Sequence, residues 1–457
     1  MLSIGNCAET LVEKFSNSIG LPFRNLLTEE DIQSAVQATG VSWRERIYSP
    51  SVTVWAMISQ VLDSDRACRK VSAQIVAHLV SMGKQACSDD PSAFCQARKR
   101  LPADVLPLLA RQVGNRTEED TSEMSKWFGR SVRIVDGSSF SMPDTPENQK
   151  EFPQPSEQAS GCGFPSAKIV AIFSWLTGAV IDASIGSLHV AERTLFHRIW
   201  GCLKSGEILL NDRGFCSYAD IACLLARGVD SVMRVVQRKR VDFRRGKRLG
   251  KGDHLVIWLK PISRPEWLSQ DEFNAIPDEI LLREVQLDTH IPGFRSKKIC
   301  VVTTLLDSTV YPKSALLDLF LQRWDVEIYL RHLKISLKMD ILTGHSPEIV
   351  RKEFWAHLLA YNLIRGLMGI VATTEGILIR RLSMKGTLER LSATIPMLGQ
   401  ADPDIQNKLL AHMMLRIAHD VLPHRPGRVE PRVRKRRPKS YPLLTVPRHV
   451  ARRRLVG

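Results

Sequence analysis

The chain has 457 residues, 44% apolar and 25% charged, which is the composition of an ordinary globular protein of about two to four domains. Its longest apolar run, residues 169–181, is too short to span a bilayer, and the N-terminus lacks the basic and apolar regions of an export signal. The nine cysteines form no CxxC pair and no Cys/His ligand spacing, so we expect reduced thiols in a cytoplasmic protein without a membrane anchor, a disulfide framework or a zinc site.

The net charge of +16 is concentrated at the C-terminus. Residues 424–457 contain 12 Lys and Arg against the single acid Glu430, a net +11, which leaves +5 for the other 423 residues. Proline and dense charge prevent such a segment from burying a core, so we expect a disordered or extended tail over residues 423–457. A phosphate-contacting arm for nucleic acid and a solubilising tail are the two interpretations, and the segregation of the charge favours the first.

Residues 1–120 are predicted to be helical, because apolar residues recur there at spacings of three and four and strand-like alternation is scarce. One of these helices is predicted to carry Arg66, Arg69 and Lys70. These cations either contact DNA or lie on a solvated helix face.

From residue 131 the apolar period changes to that of strands. The predicted elements are strands at residues 131–135, 167–175, 179–185, 207–211 and 231–236, and helices at residues 191–203 and 218–227. Strands followed by alternating helices and strands indicate an α/β core, which we place at residues 121–375.

A strand-rich insertion with basic turns is predicted within this core at residues 237–300. One long helix is then predicted over residues 315–342, and further helices to about residue 420 give a helical C-terminal region at residues 376–422.

Two aspartates are predicted at the carboxyl ends of buried strands. Asp136 shares its parity with the apolar Val132 and Ile134, and Asp212 stands in the same relation to Leu210. Each aspartate is followed within two residues by a glycine, which allows a ligand to approach the backbone. The carboxyl ends of strands are where α/β sheets form their functional sites.

The helix predicted over residues 315–342 carries a third acid. At 100° per residue, Glu327 falls within about 60° of Phe320, Arg323 and Lys334. An apolar stripe is predicted beside these residues, formed by Val326, Leu330, Leu333 and Leu337. A carboxylate flanked by two cations is therefore expected at the edge of the buried face, whereas an ordinary surface helix places its charges opposite that face.

Three acids brought together would repel one another unless cations neutralised them. A pair of Mg²⁺ or Mn²⁺ ions suits an all-oxygen ligand set and supports in-line displacement at phosphorus. Considered singly, a strand-end aspartate is more often a turn or cap residue, and Glu327 is more often half of an ion pair with Arg323 or Arg331. The combination of a strand Asp, a second strand Asp and a helix Glu is far more specific.

The pattern Phe320-x2-Arg323-x3-Glu327-x6-Lys334 resembles the Tyr-x2-Arg-x3-Glu-x6-Lys signature of bacterial DDE transposases of the insertion sequence 4 family. The segments VDGSSFSMPDTPEN around Asp136, LLNDRGF around Asp212 and FWAHLLAYNLIRG after the signature agree in order, so that the resemblance covers roughly residues 130–370.

This resemblance implies an RNase H-like core of the retroviral integrase superfamily, with a β insertion between the second Asp and the Glu. It implies that Asp136, Asp212 and Glu327 bind the metal ions and that Arg323 and Lys334 contact the transposon end. The family's tyrosine is Phe320 here, which can still stack but lacks the phenolic hydrogen bond to phosphate.

Further aromatic and basic residues are candidates for contact with DNA. In the family a tryptophan on the β insertion fills the gap left by a flipped base, and the candidate here is Trp258, for which a place in the sheet core is the alternative. Arg234 and Arg238 either clamp DNA or are solvated, and Trp324, about 100° from the triad side, is expected to be a packing residue.

His189 and Glu192, which precede Asp212 in the chain, are also candidate metal ligands. His189 is expected to be a loop histidine rather than a ligand, and Glu192 resembles a recurrent position of the family for which a structural or capping role is the alternative.

The sequence therefore predicts a DNA transposase that cleaves transposon ends and joins them to target DNA with two Mg²⁺ or Mn²⁺ ions. We expect its partners to be terminal inverted repeats and target DNA, its DNA-bound form to be a homodimer, and its location to be the bacterial cytoplasm at the nucleoid. A nuclease of the same fold without strand transfer and a non-catalytic DNA-binding protein are the two alternatives.

Overall fold

The computed structural model describes residues 15–43, 47–81, 83–84, 87–119, 126–236, 239–288, 298–423 and 442–456. Its centre is one mixed sheet of nine strands, flanked by helices on both faces. The strands are β1 Val132–Ser141, β2 Ser166–Ser174, β3 Val180–Ser187, β4 Ile208–Asn211, β5 Asp230–Arg234, β6 Lys247–Gly250, β7 Asp253–Leu259, β8 Glu279–Asp288 and β9 Lys298–Thr303.

The helices before and within the first half of the sheet are α1 Asn17–Gly20, α2 Glu29–Gln37, α3 Pro50–Leu62, α4 Cys68–Ser81, α5 Ser92–Arg100, α6 Val105–Glu119, α7 Pro146–Glu151, α8 Glu192–His197 and α9 Tyr218–Ala226. The later helices are α10 Gln270–Ala275, α11 Lys313–Gln322, α12 Asp325–Arg331, α13 Pro347–Thr374, α14 Met384–Leu398, α15 Pro403–His419 and α16 Arg448–Val456. Short 3₁₀ turns occur at Leu21–Phe23, Trp200–Cys202, Arg213–Phe215 and Ile379–Arg381.

The strand order is β3-β2-β1-β4-β5-β9-β8-β7-β6. The first three strands pair antiparallel, β1 pairs parallel with β4, and β4 pairs parallel with β5. This five-stranded arrangement, with helices on both faces, is the RNase H-like core that the sequence predicted. Strands β9, β8, β7 and β6 follow as antiparallel neighbours beyond β5, so the predicted insertion extends the core sheet rather than forming a separate body.

The alternation of side chains along the strands divides the core into two layers. Ile134 and Leu210 face a layer formed by the N-terminal helices, α13 and the C-terminal helices. Val135 and Leu209 face the opposite layer, which contains α8, α9 and apolar residues of the insertion. Each central strand is buried on both faces, which explains why its sequence is almost continuously apolar.

Helix α13 joins the N-terminal helices to the sheet. The Asn362 amide, which is fully buried, accepts a hydrogen bond from the Val180 N–H and donates to the carbonyls of Val180 and Ala110, each at 2.8 Å. A β-carbon at Gly114 of α6 would lie 2.3 Å from the Val180 carbonyl, so only glycine permits this close approach of helix and strand. The N-terminal helical region and the α/β core therefore share one packed interior.

Several predicted boundaries were wrong. Strand β1 does not end at Asp136 but continues to Ser141, because its second half pairs with β2 out to Ser166. The helix predicted over residues 191–203 ends at His197 and is followed by a 3₁₀ turn, and β6 was not predicted.

The C-terminal tail was predicted to be disordered or extended from residue 423. Residues 424–441 lie outside the described part of the chain, but Arg448–Val456 is helical. This segment contains neither proline nor glycine, and the high helix propensity of its Arg, Ala and Leu residues is compatible with a short helix.

Helix α13 is, within the described residues, the one helix long and apolar enough to cross a membrane by composition. Its apolar window is 89% buried inside the protein, as expected of a central core helix.

Candidate active site

Asp136 and Asp212 lie on neighbouring parallel strands at equivalent positions. Strands β1 and β4 pair Ile134 with Leu210, and each aspartate follows two residues later. Both carboxylates therefore start from the same face of the sheet, on strands about 4.8 Å apart. Asp136 lies inside β1, whereas Asp212 is the first residue after β4 and precedes the 3₁₀ turn Arg213–Phe215 without a side-chain capping hydrogen bond. The predicted juxtaposition of the two acids is thus present, although only Asp212 is at a strand end.

Glu327 is contributed by α12, which packs on β1. The single helix predicted over residues 315–342 was wrong, because α11 ends at Gln322 and α12 begins at Asp325. Between them the backbone keeps helical dihedral angles but forms 3₁₀-type hydrogen bonds, such as that from the Glu327 N–H to the Trp324 carbonyl at 3.1 Å. A 3₁₀ turn advances 120° per residue rather than 100°, so it rotates Glu327 relative to Phe320 and Arg323.

A second irregularity follows α12. Residues His332–Ser336 form a π-helical turn that includes Lys334, and Lys338 then takes a left-handed backbone conformation with φ +57°. The predicted apolar stripe is nevertheless confirmed, since all its members are buried: Val326, Leu330, Leu333 and Leu337. π-Helical turns occur frequently at functional sites.

Arg323 provides the nearest cation to Asp136. Its Nη1 lies 4.0 Å from Asp136 Oδ2, and its side chain is buried. Its guanidinium also stacks on the Trp324 ring, 5.0 Å from the centroid. The alternative role for Glu327 was an ion pair with Arg323 or Arg331, and neither ion pair is present within the described residues.

The electrostatic environment of Asp136 is that of a crowded acidic site. The pKa of Asp136 is raised to about 6, chiefly by burial and in smaller part by the Glu192 and Glu327 carboxylates. Two groups lower this pKa: the Gly137 N–H, which donates to Asp136 Oδ1 at 2.8 Å, and the Arg323 cation. The protein itself therefore does not fully neutralise this cluster of carboxylates.

Two further polar groups at this edge of the sheet have unmet hydrogen-bonding capacity. Asp212 Oδ1 is buried without a hydrogen-bond partner among the described residues, and so are both side-chain amide atoms of the fully buried Asn211. Buried polar atoms without partners are costly, and they indicate a group that is bound during function.

The residues present fit a hard divalent cation in their chemistry. Asp136, Asp212 and Glu327 offer only carboxylate oxygens, the donors that Mg²⁺ and Mn²⁺ prefer. Their spacing is wider than a closed site requires, since no three His, Cys, Asp or Glu side chains in the described ranges are grouped closely enough to enclose an ion. Glu327 is exposed and is the acid with the most freedom to move inwards.

The residues expected to contact DNA differ in accessibility. Lys334 is half-buried on the π-helical turn that follows α12. Phe320, proposed in place of the family's tyrosine, is only 1% exposed and packs edge-to-face against Trp324 with ring centroids 6.1 Å apart. In this conformation Phe320 supports Arg323 rather than offering a stacking surface. Trp324 is half-buried against the core, in agreement with its predicted packing role.

Trp258 occupies the sheet core of the insertion. Its indole N–H donates to Glu284 Oε1 at 2.8 Å, the Lys239 ammonium lies 3.0 Å from its ring centroid, and 8% of the side chain is exposed. This placement favours the packing alternative over insertion into DNA. Arg234 is half-buried at the end of β5, and Arg238 lies outside the described residues.

The N-terminal cations are largely engaged within the protein. Arg66 precedes α4 and donates to the carbonyls of Lys338 and Ile341, so its predicted place inside a helix was wrong. Lys70 forms an ion pair with Asp63 at 2.7 Å. Arg69 is exposed, and it is the member of this predicted set that remains open to DNA.

Glu192, for which the sequence allows either a family role or a structural one, lies against β1 beside Asp136. A β-carbon added to Gly137 would lie 2.9 Å from both Cδ and Oε1 of Glu192, so this carboxylate sits directly over the residue after Asp136. The signal available in the sequence was the glycine that follows Asp136. His189 is exposed in the preceding loop, as expected of a loop histidine.

The chain is similar to several known proteins. Residues 127–363 match a family model described as "Transposase DDE domain". The chain is 26% identical over 410 residues, 88% of each protein, to "Transposase InsG for insertion sequence element IS4" of Escherichia coli K12. A "Putative transposase InsZ" of the same organism is 24% identical over 127 residues, which is 28% of this chain and 42% of that protein.

A solved structure of a piggyBac transposase synaptic complex with hairpin DNA also aligns with this chain. It covers 90% of this chain and 87% of its own, at 11% identity and a TM-score of 0.48.

Proposed function

The chain belongs to the DDE transposase family and is an enzyme of DNA transposition that cleaves and joins DNA, and we propose that Asp136, Asp212 and Glu327 form its catalytic site. The observation that carries this proposal is the register of β1 and β4, which aligns Asp136 with Asp212 on one face of the sheet, beside the helix that carries Glu327.

The family uses divalent metal ions, and we infer that these three carboxylates hold two Mg²⁺ or Mn²⁺ ions here. Bound ions of this type activate an attacking oxygen and stabilise the leaving oxygen at phosphorus. Two observations support this assignment: the pKa of Asp136 stays raised although Arg323 lies beside it, and Asp212 Oδ1 has no hydrogen-bond partner among the described residues.

The wide spacing of the acids is consistent with a site that closes when cations and DNA bind. Asp136 and Asp212 are fixed by the sheet, whereas the exposed side chain of Glu327 makes no hydrogen bond or ion pair among the described residues. Rotation of the Glu327 side chain is therefore the movement that we expect to complete the site.

The chemistry has two steps at the transposon boundary. In the first, a water oxygen bonds to phosphorus and the P–O3′ bond breaks, which leaves a free 3′-hydroxyl. In the second, that hydroxyl attacks a phosphorus of the target strand and displaces another 3′-oxygen. Arg323 and Lys334 are suitably placed to bind the phosphate oxygens that carry the charge.

Both ends of an element must be held together for such joining, so we propose a homodimer on the terminal inverted repeats. The basic C-terminal segment, including the helix Arg448–Val456, would add phosphate contacts. Action on chromosomal DNA places the protein in the bacterial cytoplasm, at the nucleoid.

The test uses the full chain with a DNA duplex that carries the element's inverted repeat. Amide variants of Asp136, Asp212 and Glu327 should each abolish cleavage with Mg²⁺ and with Mn²⁺, while DNA binding persists. If any one variant cleaves DNA as well as wild type, the substituted residue is not part of the catalytic site. A joining assay with pre-cut ends decides the remaining alternatives, because a nuclease gives no joined product and a non-catalytic DNA-binding protein gives neither product.

A further inference from the structure

We propose that Glu192 is a fourth carboxylate of the metal site, next to Asp136, and that it shares in holding a divalent cation. This inference rests on the proposed catalytic role of Asp136 and Asp212. It starts from the position of the Glu192 carboxylate over Gly137, where an added β-carbon would be 2.9 Å from its Cδ and its Oε1.

Helix α8 is held between the two aspartate-bearing segments. On one side Glu192 lies against Gly137 of β1. On the other side Arg193 Nη2 donates to the Gly214 carbonyl at 3.0 Å, in the turn that begins at Asp212. The Phe196 and Phe215 rings pack edge-to-face at 5.4 Å and fix the same helix to the same turn.

Gly137 allows Glu192 to lie against β1 directly after Asp136, although the two side chains start from opposite faces of the sheet. Residues alternate along β1, so the absent side chain of Gly137 leaves a gap on the face where α8 packs, directly after Asp136. Glu192 fills this gap with a charged group rather than an apolar one. Within the described residues its exposed carboxylate has neither an ion-pair partner nor a hydrogen-bond partner, so both of its oxygens are free to coordinate a cation.

A second and independent feature lies on the same face of the sheet. Asn211 is fully buried next to Asp212, and neither atom of its amide has a hydrogen-bond partner among the described residues. By alternation it points to the side on which α8 packs. The pairing of β1 with β4 ends at Ile134 and Leu210, so a cation at the opening beyond these residues would be within reach of oxygen donors from both faces.

The experiment measures metal binding and stability as well as DNA cleavage, on the full-length protein. Glu192→Gln keeps the size of the side chain and removes its charge, and Glu192→Asp keeps the charge on a shorter chain. Glu147→Gln is the matched control, because Glu147 is also an exposed glutamate in the first turn of a six-residue helix. Mn²⁺ affinity is measured by electron paramagnetic resonance titration, and Tm is measured with EDTA and with Mg²⁺.

We expect Glu192→Gln to weaken Mn²⁺ binding by about 10–100-fold. The same variant should raise Tm in EDTA, since it relieves repulsion with Asp136, and should lower the additional rise in Tm given by Mg²⁺. Glu192→Asp should lie between wild type and Glu192→Gln in Mn²⁺ affinity, and Glu147→Gln should match wild type in every measurement.

Two outcomes would overturn the inference while the proposed function stands. One is wild-type Mn²⁺ affinity in Glu192→Gln when Asp136→Asn has lost binding. The other is a large fall in Tm for both Glu192 variants in EDTA, which would show a structural role. If Asp136→Asn also binds Mn²⁺ and cleaves DNA like wild type, the proposed catalytic site fails together with this inference.

Discussion

The Asp136→Asn substitution should stabilise the metal-free protein while it abolishes cleavage. In the folded chain the pKa of Asp136 is about 6, against about 3.9 for an ordinary aspartate. At pH 7 this difference corresponds to about 3 kcal/mol by which ionised Asp136 lowers the free energy of unfolding. Asparagine removes that charge and keeps nearly the same shape, so the variant should recover most of this free energy.

The sign of the pH dependence provides an internal check. A carboxyl group whose pKa is raised on folding loses stability as pH rises from the unfolded value, near 3.9, to the folded value, near 6. The Asp136→Asn variant should therefore match wild type near pH 4 and exceed it above pH 6. The unfolding entropy of a 457-residue chain is about 1 kcal/mol per kelvin, so the gain in Tm at pH 7.5 should be about 3 °C.

The assay is thermal unfolding in EDTA at several pH values, followed by the same measurements with Mg²⁺. Added Mg²⁺ should raise the Tm of wild type more than that of the variant, because a ligand stabilises the state that binds it. Asp144→Asn, at an exposed aspartate away from the sheet, serves as the control and should leave Tm nearly unchanged. A Tm for Asp136→Asn that is equal to or below wild type in EDTA at pH 7.5 would refute the reasoning.

Three further outcomes follow from the positions of the basic and aromatic groups. Arg323→Gln should slow end cleavage with Mg²⁺ by about 100-fold, because Arg323 is the cation beside Asp136, whereas Arg331→Gln on the exposed face of α12 should not slow it. Equal effects of the two substitutions in a cleavage time course would contradict a specific role for Arg323. Trp258→Phe should lower Tm, because Glu284 loses its indole donor, yet should cleave DNA normally while folded; normal Tm with impaired cleavage would indicate a base-stacking role instead. Removal of residues 424–457 should reduce the slope of log Kd against log salt by about 0.9 for each DNA phosphate that the tail neutralises, and an unchanged slope would identify a solubilising tail.

Local sequence patterns were sufficient to place the two aspartates. The two-residue period of a strand assigns Asp136 and Ile134 to one face, and the same argument applies to Asp212 and Leu210, whatever the rest of the chain does. The full length of β1 was not accessible in this way. Its second half, which contains Gly137 and three serines, is a strand because β2 pairs with it, and that pairing joins residues far apart in sequence.

The break between α11 and α12 was also beyond a sequence argument. The residues around Arg323 and Trp324 are compatible with an uninterrupted helix, and their dihedral angles remain helical. The hydrogen-bond pattern changes where the buried Arg323 side chain approaches Asp136 on β1, which is a tertiary contact. The helical projection consequently identified the correct residues on the buried side but not the rotation of Glu327 relative to them.

The four acids of the proposed metal site fall into two classes, which differ in how freely their side chains can move. Asp136 and Asp212 extend from adjacent strands of a rigid sheet, with their side chains largely shielded from solvent. Glu192 and Glu327 lie in the first turns of short helices and are exposed, with longer side chains that can change rotamer at little cost. Bound cations would offset the mutual repulsion of such acids. The fixed pair would then define where the ions bind, and the movable pair would complete their coordination when DNA arrives, which couples assembly of the site to the presence of its substrate.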